Sequence, residues 1–219
     1  FLLFIPARGG SKGIPNKNLK KINKRTLIEI VINFSSSLKY IDEIVLSSDS
    51  KKILEIGKKN KIQIIERPKK LSLDISTTEE AIMHTLNFYK QRNIFFDYTV
   101  ILEPTSPLRK IATVEKAIRK IVQKKSESLV SVTEISSSLG TLEKDLYKTI
   151  SFNNARRRQD RKKIYSETGV VYIVKNKSFN IRKKIPSKNW LSVIVDQIEG
   201  MDINSQKDLN LVRKLSLLN

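Results

Sequence analysis

The chain begins with FLLFIPARGGSKGIPNKN, residues 1–18. The apolar run from Phe1 to Ile5 indicates a buried strand, because it is far too short to span a membrane and is stopped by Pro6. Since the chain starts inside that strand, we expect native residues ahead of Phe1. The strand leads directly into a loop that is rich in glycine and basic residues, and this loop is the first candidate ligand site.

The loop from Ala7 to Asn18 suits an anion. Its glycines let the backbone approach a ligand closely, and backbone N–H groups left unpaired beyond a strand attract phosphate. Its positive charge comes from Arg8, Lys12 and Lys17. The spacing fits neither G-x-x-x-x-G-K-[ST] nor G-x-G-x-x-G, so the sequence predicts a different kind of phosphate-binding loop. A plain turn with solvated lysines is the alternative.

Beyond this loop, short apolar runs alternate with helical periods, which is typical of βαβ units around a mostly parallel sheet. We predict strands at Phe1–Ile5, Glu43–Ser47, Ile62–Ile65, Tyr98–Leu102 and Leu129–Val132, and helices at Leu27–Leu38, Lys51–Lys59, Thr78–Lys90 and Thr113–Lys124. Helix starts are marked by a capping box at Ser76–Glu79 and by a similar pattern at Ser205–Asp208. The length suits one domain, residues 1–219.

The alternation breaks down between residues 133 and 190. Serine and asparagine runs mark loops there, and Val170–Val174 is a further predicted strand. We interpret this region as a small insertion that returns to the main sheet, and we expect it to serve in dimerisation.

The composition narrows the possible functions. The chain has no cysteine, which excludes disulfides, thiolate catalysis and zinc ribbons, and the cytoplasm is the expected compartment. The formal net charge of +20 would attract polyanions, but the lysines are scattered and no aromatic residues interleave with them. We therefore expect a solvated basic surface, with no nucleic-acid partner and no membrane partner.

Two later loops are also candidate ligand sites. Glu103–Arg109 leaves a predicted strand with two prolines that stiffen it; a rigid turn is its alternative role. Asp202 and Asn204 lie two residues apart on an extended segment, so their side chains point to the same face. Carboxylate and amide oxygens suit Mg²⁺, which leaves its other positions to phosphate and water. An ordinary polar surface or a helix cap is the alternative for this pair.

Together these loops resemble the acylneuraminate cytidylyltransferases, the family that makes CMP-activated sialic and related nonulosonic acids. The resemblance is strongest over Ile5–Leu19. It continues in the family's order through Ser47–Ser50, Arg67–Pro68, Asp74, Thr78, Pro104–Arg109, Arg157–Asp160, Tyr165 and Asp202. It implies an α/β fold of the nucleotidyltransferase type, with a Rossmann-like, mostly parallel sheet flanked by helices, and a homodimer. The implied reaction transfers CMP from CTP to the anomeric hydroxyl of an acidic sugar and releases pyrophosphate.

The resemblance also implies roles for individual residues. CTP is expected to contact Ala7, Arg8, Gly9, Gly10, Ser11, Lys12, Asn18, Arg67 and Thr78. The acidic sugar is expected to contact Glu103, Arg158, Gln159 and Tyr172. Mg²⁺ is expected to bind Asp202 and Asn204. The expected catalytic residues are Arg8, Lys17 and Asp202.

Three positions depart from the family's pattern. Glu103 stands where glutamine is common, and because a carboxylate only accepts hydrogen bonds, it must face a hydroxyl or amide of the sugar. Asn204 replaces the second metal-binding aspartate and removes one negative charge. Glu167-Thr168-Gly169 stands where Glu-Asn-Gly is common, a change that a turn tolerates.

His84 is the only histidine, and its place on a predicted helix favours a hydrogen-bonded packing residue over a general base. Three alternative functions stay open. The first is another sugar nucleotidyltransferase, such as a CMP-Kdo synthetase or an enzyme using UTP or GTP, although Lys17-Asn18-Leu19 in place of Lys-Pro-Leu favours the sialate side. The others are a non-enzymatic, basic nucleic-acid-binding α/β protein and a homologue in which Asn204 marks lost activity.

Overall fold

A computed structural model describes residues 1–11, 13–136, 139–150, 157, 162–182, 185 and 190–217. In chain order the strands are β1 (Leu2–Pro6), β2 (Lys21–Ile22), β3 (Arg25–Thr26), β4 (Glu43–Ser48), β5 (Gln63–Glu66), β6 (Tyr98–Ile101), β7 (Ser128–Ile135), β8 (Gly140–Glu143), β9 (Leu146–Thr149), β10 (Ile164–Lys175) and β11 (Leu191–Val195). The helices are α1 (Leu27–Ser36), α2 (Lys51–Lys59), α3 (Thr78–Lys90), α4 (Ile111–Gln123), α5 (Asn176–Arg182) and α6 (Gln206–Leu215).

The main sheet has seven strands in the order β11-β7-β10-β6-β1-β4-β5. All neighbours pair in parallel except β10, which is antiparallel to both β6 and β7. Strand β1 lies near the centre, and its residues Leu2 to Ile5 are fully buried because helices cover both faces of the sheet. The predicted α/β class and mostly parallel sheet are therefore confirmed.

Helices cover the two faces of the sheet in separate layers. On one face, α1, α2 and α4 contribute apolar residues to a large core cluster with β1, β6, β7 and β10. On the other face, α3 and α5 pack on Leu2, Phe4 and Val45. A third, smaller cluster joins Ile14 of the opening loop to Ile203 and to α6. This third cluster brings two distant loops, one after β1 and one before α6, to the same end of the sheet.

The caps of two helices can be compared with their prediction. Helix α6 begins with the expected capping box, in which Ser205 caps the helix and Asp208 caps the Ser205 amide in return. The capping box of α3 is shifted by one residue from the prediction and uses Thr77 and Glu80. The reason is that the Ser76 hydroxyl already bonds the Lys70 carbonyl and the Leu73 amide in the preceding turn.

The described part of residues 133–190 contains a separate two-stranded sheet, the long strand β10 and helix α5. Strands β8 and β9 form a two-stranded antiparallel sheet outside the main sheet. Strand β10 lies inside the main sheet and is longer than the predicted Val170–Val174. Strand β11 was not predicted and extends the sheet beyond β7.

In the part of the chain that the structure describes, no helix combines the length and the apolar character that crossing a bilayer requires.

Candidate functional site

A cleft of about 340 Å³ lies beyond the carboxyl ends of β1 and β6. Such ends are where loops of parallel α/β sheets leave backbone groups free for ligands. Four segments line the cleft: the opening loop, the segment around Arg67 and the start of α3, the loop after β6, and the segment before α6. The lining residues are Pro6, Arg8, Gly10, Ser11, Lys17, Asn18, Arg67, Asp74, Ser76, Thr77, Thr78, Glu103, Pro104, Thr105, Asp202 and Asn204.

Most of the predicted site residues meet in this cleft. Those that line it are Arg8, Gly10, Ser11, Lys17, Asn18, Arg67, Thr78, Glu103, Asp202 and Asn204. Three others, Lys12, Arg158 and Gln159, lie outside the described residues. The remaining three, Ala7, Gly9 and Tyr172, lie beside the cleft and do not line it.

Ala7 and Gly9, which are both expected to contact the nucleotide, bond other parts of the chain through their N–H groups. Ala7 is fully buried in the core, and its amide donates a 3.0 Å hydrogen bond to the Ser47 carbonyl. The Gly9 amide donates a 2.8 Å hydrogen bond to the Asp49 carboxylate. Both N–H groups are therefore used to shape the loop. Gly10 lines the cleft and has open space where a side chain would stand.

Lys17 connects the opening loop to the segment before α6. It begins a short 3-10 turn, and its Nζ donates a 2.9 Å hydrogen bond to the Ile203 carbonyl. Gly13 strengthens the same connection, since a Cβ there would lie 2.5 Å from the carbonyl oxygen of Asn204. The close backbone approach therefore requires glycine at position 13. It places a cation of the opening loop next to Asp202 and Asn204.

Arg8 and Asn18 are coupled to each other within the opening loop. The Asn18 amide nitrogen donates a 2.9 Å hydrogen bond to the Arg8 carbonyl. The Arg8 guanidinium reaches across the cleft mouth and forms a 2.8 Å ion pair with Asp74. Asn18 is buried, so its side chain fixes the backbone from which Arg8 extends.

Arg67 supplies a buried cation on the opposite wall. Its Nη2 donates a 2.9 Å hydrogen bond to the Ser47 carbonyl, and its Nε lies 3.2 Å from the Ser47 hydroxyl. Burial lowers the pKa of this guanidinium, the nearby Asp49 carboxylate opposes that shift, and Arg8 adds to it. An arginine remains charged under such a shift, so Arg67 is a fixed positive group at this end of the cleft.

The other end of the cleft is acidic. Burial raises the pKa of Glu103, and the charge of the nearby Asp202 carboxylate raises it further. The Ser106 hydroxyl lies 3.4 Å from Asp202 Oδ1, and the Ile203 amide donates a 2.9 Å hydrogen bond to the Thr105 carbonyl. The loop after β6 and the segment before α6 therefore form one continuous wall.

Tyr172 lies just behind this acidic wall on β10. Burial raises the pKa of its phenol, and the Glu103 carboxylate raises it further. Its ring is 6.1 Å from the Trp190 ring in an edge-on arrangement. Tyr172 therefore stays protonated and can donate a hydrogen bond toward the acidic end.

Two residues at the acidic end were not predicted to belong to the site. Gly169 packs tightly against the loop after β6, since a Cβ there would lie 2.6 Å from the Ser106 hydroxyl and 3.3 Å from Glu103 Oε2. Arg109 is buried behind Glu103 and bonds its carbonyl. Both belonged to motifs already noted, Glu167-Thr168-Gly169 and Pro104–Arg109, but a linear sequence gives no sign that these motifs meet.

His84 lies outside the cleft. Its Nδ1 is buried and has no hydrogen-bond partner among the described residues, so the expected hydrogen bond is absent at that nitrogen. Burial lowers its pKa, and the charge of Arg67 lowers it further. Its role as a packing residue is consistent with this environment, whereas a general base would have to reach the cleft.

The metal expectation rests on few ligands. No group of three or more histidine, cysteine, aspartate or glutamate residues is placed to hold a metal ion within the described ranges. Asp202 and Asn204 both line the cleft, and their oxygens are of the type that Mg²⁺ binds. A site of this kind would need a phosphate-bearing ligand to complete it.

Two known proteins match this chain along its whole length. The chain is 31% identical over 228 residues to the CMP-N,N'-diacetyllegionaminic acid synthase of Legionella pneumophila, covering 100% of this chain and 97% of that protein. It is 28% identical to a pseudaminic acid cytidylyltransferase of Campylobacter jejuni, with the same two coverages.

Solved structures share the fold at low sequence identity. A CMP:2-keto-3-deoxy-manno-octonic acid synthetase complexed with CTP superposes with a TM-score of 0.77, 15% identity and coverage of 99% of this chain and 98% of that chain. A 4-diphosphocytidyl-2C-methyl-D-erythritol synthase gives a TM-score of 0.75 at 10% identity, with 98% of each chain covered. Residues 2–211 match the family described as Cytidylyltransferase, and this chain belongs to that family.

Proposed function

We propose that this enzyme transfers CMP from CTP to the anomeric hydroxyl of an acidic nonulosonic sugar, such as a sialic or legionaminic acid, and releases pyrophosphate. The observation that carries the proposal is the arrangement of charge in the cleft. Arg8 and Arg67 supply cations, Glu103 and Asp202 supply carboxylates at the acidic end, and Lys17 stands next to Asp202 through its bond to the Ile203 carbonyl. The similarity to synthases of CMP-legionaminic and pseudaminic acids supports the choice of sugar class.

The cationic side of the cleft would bind the nucleotide. We expect Arg8, Gly10, Ser11 and Lys17, which line the cleft, to bind the triphosphate, together with Lys12 of the same loop. Arg67, Asn18 and Thr78 line the neighbouring wall, where the ribose and cytosine would lie. Fixed cations and N–H groups of this kind stabilise the charge that develops on phosphate during transfer.

The acidic end would bind the sugar. Glu103 accepts hydrogen bonds only, so it would face hydroxyl or amide groups of the sugar. Tyr172 would add a donor from behind. Arg158 and Gln159 are proposed to complete this site, with the Arg158 guanidinium pairing with the sugar carboxylate in a bidentate manner.

Mg²⁺ is proposed as the cofactor. Asp202 and Asn204 would hold it, and their oxygen donors beside the triphosphate side fit its preference for few protein ligands. When bound, it would neutralise phosphate charge. Asn204 contributes no negative charge, so we expect weak binding of the metal before CTP arrives.

In the proposed reaction the anomeric oxygen of the sugar attacks the α-phosphorus of CTP. A bond forms between that oxygen and the α-phosphorus, and the bond to the β-phosphate oxygen breaks. The electron pair of the broken bond stays on pyrophosphate, and the hydroxyl proton is released to water. Lys17 and Arg8 would stabilise the negative charge on the α-phosphate and the leaving group, while Glu103 and Tyr172 orient the sugar.

A homodimer in the cytoplasm is also proposed. The β8–β9 hairpin exposes large apolar side chains, with Leu142 74% and Leu146 69% exposed, and this supports burial against a second copy. Light scattering of purified protein tests this: a monomer at micromolar concentration would contradict it. The cytoplasm is proposed because CTP is available there.

The function is tested by incubating the protein with Mg²⁺, each nucleoside triphosphate and a set of acidic sugars. The set contains N-acetylneuraminic, legionaminic, pseudaminic and 2-keto-3-deoxy-octonic acids, and pyrophosphate release is measured with each. We expect release only with CTP and a nine-carbon acid. A preference for UTP, or for the eight-carbon acid, would overturn the proposed substrate pair.

A further inference from the structure

Arg109 is a buried cation directly behind the acidic end of the cleft. It lies in the loop between β6 and α4, is 6% exposed and does not line the cleft. Its guanidinium bonds main-chain carbonyls of two separate segments. Nη2 donates to the Glu103 carbonyl and lies 3.4 Å from the Gly169 carbonyl, while Nε donates a 3.2 Å hydrogen bond to the Val170 carbonyl.

The Gly169–Val170 segment is a bulge in β10. The pairing of β10 with β7 shifts between Thr168 and Tyr172, so the bulge residues lack ordinary strand partners. The Ser131 hydroxyl lies 3.0 Å from the Thr168 carbonyl and 3.1 Å from the Val171 carbonyl. Each of the four carbonyls from Thr168 to Val171 therefore lies within hydrogen-bond distance of the Ser131 or the Arg109 side chain.

The bulge forms part of the acidic wall. A Cβ on Gly169 would lie 2.6 Å from the Ser106 hydroxyl, 3.3 Å from Glu103 Oε2 and 3.8 Å from Asp202 Oδ1. The opposite side of the same backbone is bonded by Arg109. Any outward or inward movement of the bulge would therefore change the space between Glu103, Ser106 and Asp202.

The charge of Arg109 fits the same location. Burial lowers its pKa to about 10, and the carboxylates of Glu103, Asp202 and Glu199 oppose that shift. The guanidinium stays protonated at neutral pH, and it also lowers the pKa of Glu103 against the effect of burial. The two acidic side chains of the wall thus have a fixed counter-charge that a ligand cannot displace, because it lies behind the backbone.

We propose that Arg109 is a positioning residue for the sugar: it clamps the Gly169–Val170 bulge to the Glu103 turn and so sets the width of the acidic end of the cleft. This inference rests on the proposed function for the identity of the sugar substrate. Arg109 would contact neither the sugar nor CTP, because it does not line the cleft. Nucleotide binding is expected to be independent of the clamp, because the opening loop and Arg67 make no bond to Arg109 among the described residues.

The test compares Arg109→Lys and Arg109→Met with the wild type, using Arg119→Met as a matched control. Arg119 is an exposed arginine on α4 that pairs only with Glu115 among the described residues. Lysine keeps the charge but loses the planar fork, so it can reach one segment at a time. We expect sugar kcat/KM to fall about tenfold in Arg109→Lys and about a hundredfold in Arg109→Met, the scale typical of a substrate misplaced by about 1 Å.

Two further measurements separate positioning from a general structural role. The Kd for CTP, measured by calorimetry, is expected to stay within about twofold of the wild-type value in both Arg109 variants. A twofold change in Kd corresponds to about 0.4 kcal/mol of binding free energy. Amide hydrogen exchange is expected to accelerate over Gly169–Val171 and to stay unchanged in β1. The control Arg119→Met is expected to match the wild type in all three measurements.

Several results would overturn the inference. One is an Arg109→Met variant with wild-type sugar kcat/KM and unchanged exchange at the bulge. A second is a loss of CTP affinity by the same factor as the loss of sugar kcat/KM. A third is failure of Arg109→Lys to fold. Either of these two results would assign Arg109 to stability alone. If the wild type accepts no acidic sugar, the proposed function fails, and the hydrogen-exchange comparison still decides whether Arg109 clamps the bulge.

Discussion

Lys17 and Ile203 are 186 positions apart in the chain, yet Lys17 Nζ donates a 2.9 Å hydrogen bond to the Ile203 main-chain carbonyl. Ile203 lies between Asp202 and Asn204, so this contact fixes the cation of the opening loop beside the proposed metal segment. The buried apolar cluster that contains Ile14, Ile203 and Leu209 also holds the same two segments together. The opening loop and the Asp202–Asn204 segment are therefore held together by a hydrogen bond and by apolar packing.

Replacing Lys17 with alanine should lower kcat about a hundredfold, because loss of one preorganised charged donor costs about 3 kcal/mol in the transition state. The fold should survive, since the Ile14 cluster remains to join the two segments. Pyrophosphate release and the circular dichroism spectrum measure the two effects. Lys52→Ala, an exposed lysine on α2, is the control. Activity of Lys17→Ala within about threefold of wild type would remove Lys17 from the proposed machinery.

Gly13→Ala should destabilise the protein, because the new Cβ would lie 2.5 Å from the Asn204 carbonyl oxygen and backbone would have to move. Overpacking of this kind costs about 1–3 kcal/mol, which corresponds to a Tm lowered by about 2–12 °C in a chain of this size. Gly10→Ala is the matched control for thermal unfolding, since nothing lies within 4 Å of its Cβ position. Equal Tm values for the two variants would mean that the loops do not meet as closely as described.

The opening loop was predictable because its signature is contiguous, and the parallel sheet was predictable because its strands are apolar runs. Arg109 and Gly169 were not, since their contact depends on a bulge that brings together segments 60 residues apart. Strand β11 was missed because a short apolar run after an irregular region carries no periodic signal. The hydrogen bond from the Gly9 amide to Asp49 was not predictable either, because it depends on how β4 ends, which no local pattern specifies.

Asp74→Asn should strengthen CTP binding. Asp74 pairs with the Arg8 guanidinium at 2.8 Å, and CTP would have to displace this carboxylate to reach Arg8. Exposed pairs are worth about 0.2–1 kcal/mol, so removal of the charge should lower the Kd for CTP by about 1.4- to fivefold. Calorimetric titration of both proteins measures it. Glu134→Gln removes another exposed ion pair, with Lys163, and should leave the Kd unchanged. Weaker CTP binding by Asp74→Asn would show that Asp74 supports the site.

Removal of divalent metal should stop turnover. After treatment with EDTA and desalting, we expect no pyrophosphate release, with recovery on addition of Mg²⁺, because the triphosphate charge exceeds what the lining cations can neutralise. Asp202→Asn should raise the Mg²⁺ concentration needed for half-maximal activity, since it removes the only carboxylate of the Asp202–Asn204 pair. Full activity of the chelated protein would exclude a metal role for Asp202.

His84 gives the protein a pH-dependent stability that is independent of catalysis. Burial lowers its pKa below the ordinary value of 6.5, and Arg67 adds to this shift. Below pH 6.5 the unfolded chain therefore binds a proton that the folded chain does not, so the unfolded state is favoured as pH falls. The contribution of neutral His84 is fully present above the unfolded pKa and is lost progressively below it.

His84→Gln should accordingly flatten the fall in Tm between about pH 7 and pH 5, because glutamine binds no proton in either state. Activity at pH 7.5 should stay close to wild type, since His84 lies outside the cleft. Thermal unfolding across this pH range and pyrophosphate release at pH 7.5 measure the two effects on the same samples. A variant with an unchanged Tm profile would mean that His84 takes up its proton equally in both states, and a variant with turnover reduced about a hundredfold would make His84 a catalytic base.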